Sequence, residues 1–369
     1  MQLVKIERDA LLRPLQTVCG IVERRHTLPI LANVHITVKG SDVWLRTSDL
    51  EIQITNRAPL GSGNTEAETT VAARKLLDIV RALPEGDVAL NLTDKRLTVQ
   101  SGKSRFSLQV LPADDFPKLA AAAATETAPE FGVPQRVFRQ LLSMVSFSMA
   151  QQDIRYYLNG MLLVVDGKQL MAVATDGHRL AYASAALDTE LPRQEIIIPR
   201  KTILELQRLL EDIDDPVKIS VASNHIQFSF GQLTVQSKLV EGKFPDFQRV
   251  IPKGHKNQFL IGRDELLHAL QRVALLTSDK FKGVRCQISP GQLKLSSNNA
   301  DHEEADEELE IAYDGDPIDI GFNVTYLLDV LSNSKSDMLD VRLGDASSSA
   351  LFTVPEKDDF KYVVMPMRI

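Results

Sequence analysis

Apolar residues fall into a helical rhythm at three places in the chain. Leu11, Leu12, Leu15, Val18 and Cys19 keep the three-and-four spacing of one helix face; so do Val137, Phe138, Leu141 and Met144, and then Leu266, Leu267, Leu270 and Val273. From Leu11 to Val137 to Leu266 the steps are 126 and 129 residues. Each is followed by a strand-like run ending in a polar turn: Val43-Trp-Leu-Arg-Thr-Ser-Asp49, Leu170-Met-Ala-Val-Ala-Thr-Asp176 and Leu293-Lys-Leu-Ser-Ser-Asn-Asn299. A second helix is expected after each, opening with Arg74-Lys75-Leu-Leu-Asp, Arg200-Lys201-Thr-Ile-Leu and Thr325-Tyr326-Leu-Leu-Asp. More strand-like runs come next, and Leu97-Thr-Val-Gln-Ser101 returns as Leu233-Thr-Val-Gln-Ser237. The stretches close on Leu111-Pro-Ala-Asp-Asp-Phe-Pro117, Leu239-Val-Glu-Gly-Lys-Phe-Pro245 and Pro355-Glu-Lys-Asp-Asp-Phe-Lys361.

Four features in one order at near-constant spacing describe an internal repeat of ~125 residues. Each copy reads as two helices and roughly eight short strands, an α+β arrangement with helices on one side of antiparallel sheets. The Ala/Thr stretch from Ala120 to Pro129 and the polar Pro252-Lys-Gly-His-Lys-Asn257 read as linkers. The expected domains are therefore 1–128, 129–256 and 257–369. No apolar run reaches the ~18 residues that span a bilayer, and Met1-Gln-Leu-Val-Lys-Ile-Glu-Arg8 has no signal-peptide core. A cytoplasmic protein is expected. Cys19 and Cys286 stand far apart in apolar surroundings, which suits buried free thiols better than a disulfide or a zinc site. No cofactor and no metal are expected.

The net charge of -7 argues at first against a nucleic-acid partner. Yet exposed charges beyond the Debye length of ~8 Å are screened from one another, so only the local distribution matters. The first helices carry Arg13, then Arg136 and Arg139, then Arg272, in stretches without an acid. The second helices carry Arg74, Lys75 and Arg81, then Arg200, Lys201 and Arg208, then Lys335, against few acids: Asp78, Glu205 and Asp329. If the helices share one side, that side is basic on an acidic protein. Without zinc-finger spacing or a basic-region heptad array, such a surface would hold phosphates without reading sequence.

Enzymatic readings are weak. Asp176-Gly-His178 could be an acid–base pair, but its position matches Asp49 and Asn299 and so favours a structural turn. His302-Glu-Glu-Ala-Asp306 lacks the second histidine of a metalloprotease helix. Ser332-Asn-Ser-Lys335 lacks the rest of its catalytic set. A repeat scaffold that binds only proteins is the other alternative.

The chain resembles, from end to end, the bacterial DNA polymerase III beta subunit family, the replicative sliding clamps. The segments that carry the resemblance are Thr27-Leu-Pro-Ile-Leu-Ala-Asn33, Ser104-Arg-Phe-Ser-Leu108, Asp153-Ile-Arg-Tyr-Tyr-Leu-Asn-Gly160, Ala174-Thr-Asp-Gly-His-Arg-Leu180, Lys280-Phe-Lys-Gly-Val-Arg285 and Tyr362-Val-Val-Met-Pro-Met-Arg-Ile369. The resemblance implies three clamp domains forming a half-ring. Two chains would join head to tail, helices lining a hole around duplex DNA, with polymerase, clamp loader and other proteins docking through short peptides. It implies a chain interface of Lys103, Arg105, Phe106 and Leu108 against Leu275, Leu276, Glu303, Glu304, Asp306 and Glu307. It implies a docking pocket of Arg155, Leu158, Thr175, Gly177, His178, Arg179, Leu180, Pro245, Arg249, Val250, Asn323, Tyr326, Val363, Val364, Met365, Pro366, Met367 and Arg368. To the basic residues named above as DNA contacts it adds Arg25, Gln152, Tyr156 and Tyr157.

Overall fold

The computed structural model describes residues 1–23, 28–59, 66–119, 130–278 and 282–368. The first repeat runs β1 (Gln2–Glu7), α1 (Arg8–Val18), β2 (Asn33–Lys39), β3 (Asp42–Ser48), β4 (Ile52–Pro59), β5 (Ala67–Ala72), α2 (Ala73–Ala82), β6 (Asp87–Leu92), β7 (Arg96–Ser101) and β8 (Ser104–Leu111). The second runs β9 (Glu130–Pro134), α3 (Gln135–Val145), β10 (Gly160–Thr175), β11 (Arg179–Pro199), α4 (Arg200–Leu209), β12 (Pro216–Val221), β13 (His225–Phe230), β14 (Leu233–Lys238) and a single-turn α5 (Phe247–Val250). The third runs β15 (Asn257–Gly262), α6 (Arg263–Ala274), β16 (Gly283–Ser289), β17 (Gln292–Asn298), β18 (Glu304–Glu310), β19 (Ile318–Asn323), α7 (Val324–Asn333), β20 (Met338–Leu343), β21 (Ala350–Thr353) and β22 (Phe360–Val364).

Six helices lie where the apolar spacing puts them. Leu11, Leu15 and Val18 of α1, and Leu266, Leu270 and Val273 of α6, are buried. α1 packs on α2, β3 and β4, and α6 on α7, β17 and β18, so each helix buries its apolar stripe against a helix neighbour and a sheet. Helix α7 stops at Asn333, so Lys335 lies beyond it rather than on it. Among the described residues no helix is long and apolar enough to cross a membrane. Cys19 and Cys286 are free and buried, and burial pushes both thiols up to about 12.

Two compact units emerge: Met1–Phe138 with Arg208–Leu239, and Arg139–Gln207 with Val240–Ile369. The strands of the first form one twelve-stranded sheet, those of the second a six-stranded and a four-stranded sheet. All pairings are antiparallel. One topology recurs. The order β5-β2-β3-β4 returns as β19-β16-β17-β18, and β1-β6-β7-β8 returns as β9-β12-β13-β14 and β15-β20-β21-β22. In the second repeat β2 and β3 are replaced by the long β10, with Gly167 at φ 59° where Gly40 stands at φ 61° between β2 and β3. Glycine takes that left-handed conformation without the clash a Cβ would bring. β11 likewise merges two strands, so the expected eight short strands are six here, two of them long.

The polar turns are equivalent. Asp49 Oδ1 accepts from Glu51 N and Ile52 N, Asp176 Oδ1 from His178 N and Arg179 N, and Asn299 Oδ1 from Asp301 N and Glu303 N, at 2.8–3.0 Å. A short side chain that hydrogen-bonds its own backbone fixes such a turn.

Two of the sequence matches do not survive as structural equivalents. Leu97–Ser101 lies in β7 but Leu233–Ser237 lies in β14, which corresponds to β8. Alternating apolar and polar residues suit any half-buried strand, so identical runs can occupy different strands. Pro355–Lys361 precedes and enters β22, whereas Leu111–Pro117 and Leu239–Pro245 follow β8 and β14. The true counterpart of those two segments is the tail that begins at Met365.

Strand pairs also join successive repeats. β4 pairs with β14, Gln53 facing Gln236, and the start of β11 pairs with β22, Leu180 facing Val363. Both pairings bring a β4-type strand against a β8-type strand. Among the described residues, β8 has β7 as its only strand partner along Ser104–Gln109, and β18 pairs only with β17.

Candidate functional site

The residues expected to form the docking pocket all lie in the second compact unit, around the seam between β11 and β22. Leu158, Leu180 and Val363 are buried in one apolar cluster with Val173, Ile197, Phe244 and Phe247. That cluster forms a floor. Short α5 follows Phe244-Pro245 and carries Arg249 and Val250 at the surface, with Phe247 stacked on Tyr182 at 5.9 Å. The tail leaves β22 with Met365 N donating to the His178 carbonyl and Met367 N to the Gly321 carbonyl, both at 2.9 Å. Met365 is 49% exposed, an adaptable apolar side chain on an open rim. Asn323 spends its side-chain oxygen on the first turn of α7, accepting from Thr325 N at 2.9 Å.

Arg179 organises the polar rim. Its Nε donates to Asp176 Oδ2 at 3.1 Å, one terminal nitrogen to the Phe147 carbonyl at 2.7 Å and the other to Asp329. The guanidinium carbon lies 4.5 Å from the Tyr326 ring centroid and 5.7 Å from that of Phe147. Burial works against this charge, but the tyrosine and aspartate acceptors around it outweigh burial and raise the arginine further. Arg155 is held by Asp153, with Nε–Oδ1 3.0 Å and a terminal nitrogen to Oδ2 at 2.8 Å, and lies against Gly177. Hydrogen bonds from Arg155 hold the Asp153 carboxyl down to about 2. Gly177 has φ 90°, so the turn requires glycine, and a Cβ there would lie 3.0 Å from the Arg155 guanidinium, which would have to shift.

Asp176 and His178 form no acid–base pair. The Asp176 carboxylate is occupied by its own turn and by Arg179, and the His178 ring stacks on Tyr326 at 6.5 Å.

The equivalent face of the first repeat has the same topology and opposite chemistry. Where the junction of the second and third repeats has Leu162, Leu180 and Val363, the junction of the first and second has His35, Gln53 and Gln236. Gln53 Nε2 donates to Gln236 Oε1 at 2.8 Å, Gln236 Nε2 to Gln227 Oε1 at 3.0 Å, and Leu119 N to Gln53 Oε1 at 3.2 Å. His35 stacks on Phe116 at 5.2 Å with Glu68 3.4 Å from Nε2, and burial lowers its pKa below the usual value. A satisfied polar ladder offers an apolar side chain nothing to replace.

Apart from Lys335, the basic residues stand on the helices as expected, but many already have partners. Arg74 donates twice to the Val22 carbonyl, at 3.1 and 2.5 Å, and Arg208 to the Thr17 carbonyl at 2.8 Å. Arg81 lies 3.6 Å from Asp78, Arg136 2.6 Å from Asp214, and Arg272 grips Glu307 at 2.6 and 2.8 Å. Arg13, Lys75, Arg139 and Gln152 are exposed, and Lys201 is half-buried. Tyr156 and Tyr157 meet edge-on at 5.9 Å. Arg25 lies outside the described residues.

The two strand ends left over by the repeat carry the expected interface residues. Phe106 is 38% exposed on β8, whereas Val235, its counterpart on β14, is fully buried. Leu275 is 80% exposed after α6. The residue in its place after α3 is Phe147, which packs on Tyr362 of β22 at 5.5 Å. Lys103 and Arg105 are exposed. Of the acids, Glu307 holds Arg272, Asp306 lies 3.2 Å from Lys294 and Glu303 accepts from Asn299 at 2.6 Å, while Glu304 is exposed at the start of β18. Phe147, Asp153 and Asp329 were not anticipated. Asp329 was visible in the sequence only as a rare acid on a basic helix.

Arg179→Ala tests the rim. It leaves Asp329 and the Phe147 carbonyl without a donor. The expected loss is about 2–3 kcal/mol, below the value for a fully buried pair because Asp329 is one-third exposed. An unchanged denaturant midpoint contradicts it.

Three family models match consecutive parts of the chain: the N-terminal domain of the DNA polymerase III beta subunit over residues 1–120, the central domain over 132–246 and the C-terminal domain over 248–368. The beta sliding clamp of Pseudomonas aeruginosa is 46% identical over 369 residues, and that of Escherichia coli K12 44% over 365, each alignment covering 99% of both chains. A crystal structure of the P. aeruginosa subunit matches over the whole of both chains with a TM-score of 0.96 at 45% identity. A P. aeruginosa sliding clamp bound to griselimycin matches with a TM-score of 0.95 at 45% identity, again over the whole of both chains.

Proposed function

This chain belongs to the DNA polymerase III beta subunit family, the beta sliding clamps, and from that premise we propose that two copies close head to tail into a ring around duplex DNA. Its function is that of a processivity clamp, a non-catalytic subunit of the replicative polymerase. The observation that carries the ring is the repeated strand pairing. Among the described residues every β4-type strand but one finds a β8-type strand of the next repeat, and the two left over are β18 and β8. A second copy completes that rule at both ends at once. A head-to-tail contact must close or grow into a filament, and three repeats per chain, reading as domains 1–128, 129–256 and 257–369, make six positions in a two-chain ring.

In this reading the helices face the DNA. Arg13, Lys75, Arg139 and their neighbours hold phosphates, with Arg25, Gln152, Tyr156 and Tyr157 as further contacts. The carboxylates beside Arg81, Arg136 and Arg272 weaken the local field, which suits a surface that must slide. The protein works in the cytoplasm, where a bacterial chromosome is copied.

The apolar seam between β11 and β22 is proposed as the docking pocket for short peptides of polymerase, clamp loader and other partners. Apolar floor, paired arginines and a methionine rim suit a shared site. Removing Met365 to Ile369 should abolish polymerase stimulation while the ring persists. Retained stimulation by the truncated chain counts against the pocket.

A further inference from the structure

Tyr326, one wall of the docking pocket, is held by a residue outside the expected docking set. Its ring lies between the His178 ring, 6.5 Å away at an interplanar angle of 20°, and the Arg179 guanidinium, 4.5 Å from the centroid. A cation over a tyrosine face attracts it, provided the cation is kept there. Asp176 and the Phe147 carbonyl hold Arg179 from the turn and from the end of the α3 region. Only Asp329 holds it from α7, the helix that carries Tyr326, and Asp329 follows Tyr326 by one helical turn. The Tyr362 hydroxyl donates to the Tyr326 carbonyl at 2.9 Å and so fixes the backbone of that residue, not its ring.

We infer that Asp329 is a positioning residue for docking: its carboxylate ties Arg179 to α7, and through Arg179 it fixes the Tyr326 ring as a wall. The inference rests on the docking reading above. Without the carboxylate, Arg179 stays with the turn through Asp176 and Phe147, and what still joins it to α7 is the Tyr326 ring face itself. The ring and its cation then lose their common anchor, and a ligand must order the wall as it binds. Ordering on binding lowers affinity even where every contact to the ligand is kept.

Titration with griselimycin tests this on the full chain and its Asp329→Asn, Arg179→Gln and doubly substituted variants. Wild type should bind; if it does not, the docking reading itself fails, with the inference. Asp329→Asn should weaken binding by about tenfold, the scale of one lost charge-assisted contact. In the Arg179→Gln background the same change should cost less than about twofold, because a residue that acts through another loses its effect when that other is gone. Equal losses in both backgrounds, or no loss in the single variant, overturn the inference. Fluorotyrosine spectra of wild type and Asp329→Asn give a reading that does not depend on Arg179→Gln folding well. The Tyr326 resonance, assigned with Tyr326→Phe, should move while that of exposed Tyr156 stays. A fixed Tyr326 resonance also overturns it.

Discussion

Loaded onto a circular plasmid, the protein should remain bound through a salt wash that strips an ordinary non-specific DNA-binding protein, and cutting the plasmid once should release it. The two halves of this result separate topology from affinity. A protein held by six to ten phosphate contacts loses about 10³–10⁵ in affinity between ~50 and ~200 mM salt. On the helices described here, Arg81, Arg136 and Arg272 already carry carboxylates, and Arg74 and Arg208 donate to backbone carbonyls. Phosphate contact alone should therefore be weak, and a long lifetime on a closed circle must come from the ring. Linearisation leaves every contact in place and removes only the topological barrier, so the lifetime should fall steeply although no contact has changed. Equal lifetimes on circular and linear plasmids would sink the ring mechanism.

Replacing Leu275 and Leu276 by alanine should leave a folded chain that sediments as a 41.0 kDa monomer. Leu275 is exposed in the single chain, so its loss costs the fold little. In the proposed ring it would take the place that Phe147 takes against Tyr362, with Phe106 of the second copy as its neighbour. A leucine truncated in a packed site costs about 2–5 kcal/mol. Leu276 is already half-buried in its own chain. The pair should therefore cost about 3–6 kcal/mol per interface, which raises each dissociation constant by roughly 10²–10⁴. Charge pairs between Lys103 or Arg105 and Glu304 would set which ends meet and add little strength. A sedimentation mass unchanged from wild type rejects the interface.

Much of this was legible in the sequence, and the limits are instructive. Helices with one strong apolar stripe announced themselves, and so did the three polar turns, because both are local: Asp49, Asp176 and Asn299 bond residues two to four positions ahead. Equivalence between strands was not local. Leu-Thr-Val-Gln-Ser in β7 and β14 matches letter for letter, yet only the pairing partners show that β14 corresponds to β8. Similarity to the clamp family named the pocket residues, but not what holds them. Arg179 and Asp329 are 150 residues apart, and no spacing rule joins them. The charge count on the helices was right in composition and incomplete in physics, because Asp214 and Glu307 reach the basic residues from other elements. The contrast between the Gln53–Gln236 ladder and the Leu180–Val363 floor also needed the strand register before its meaning could be read.

The strand pairs that join one repeat to the next bear on how the protein melts. β14 completes a sheet begun by the first repeat, and β11 is stitched to β22 of the third. The central repeat thus has four of its six strands in one compact unit and the two long ones in the other. Cooperative unfolding follows contiguous packing rather than gene arithmetic. Hydrogen exchange under mild denaturant should therefore show Glu130–Pro134 and Pro216–Lys238 opening together with the first repeat, and Gly160–Pro199 opening with the third. A fragment cut to the limits of the central repeat would inherit a torn sheet on each side. What sequence presents as three modules should then melt as two.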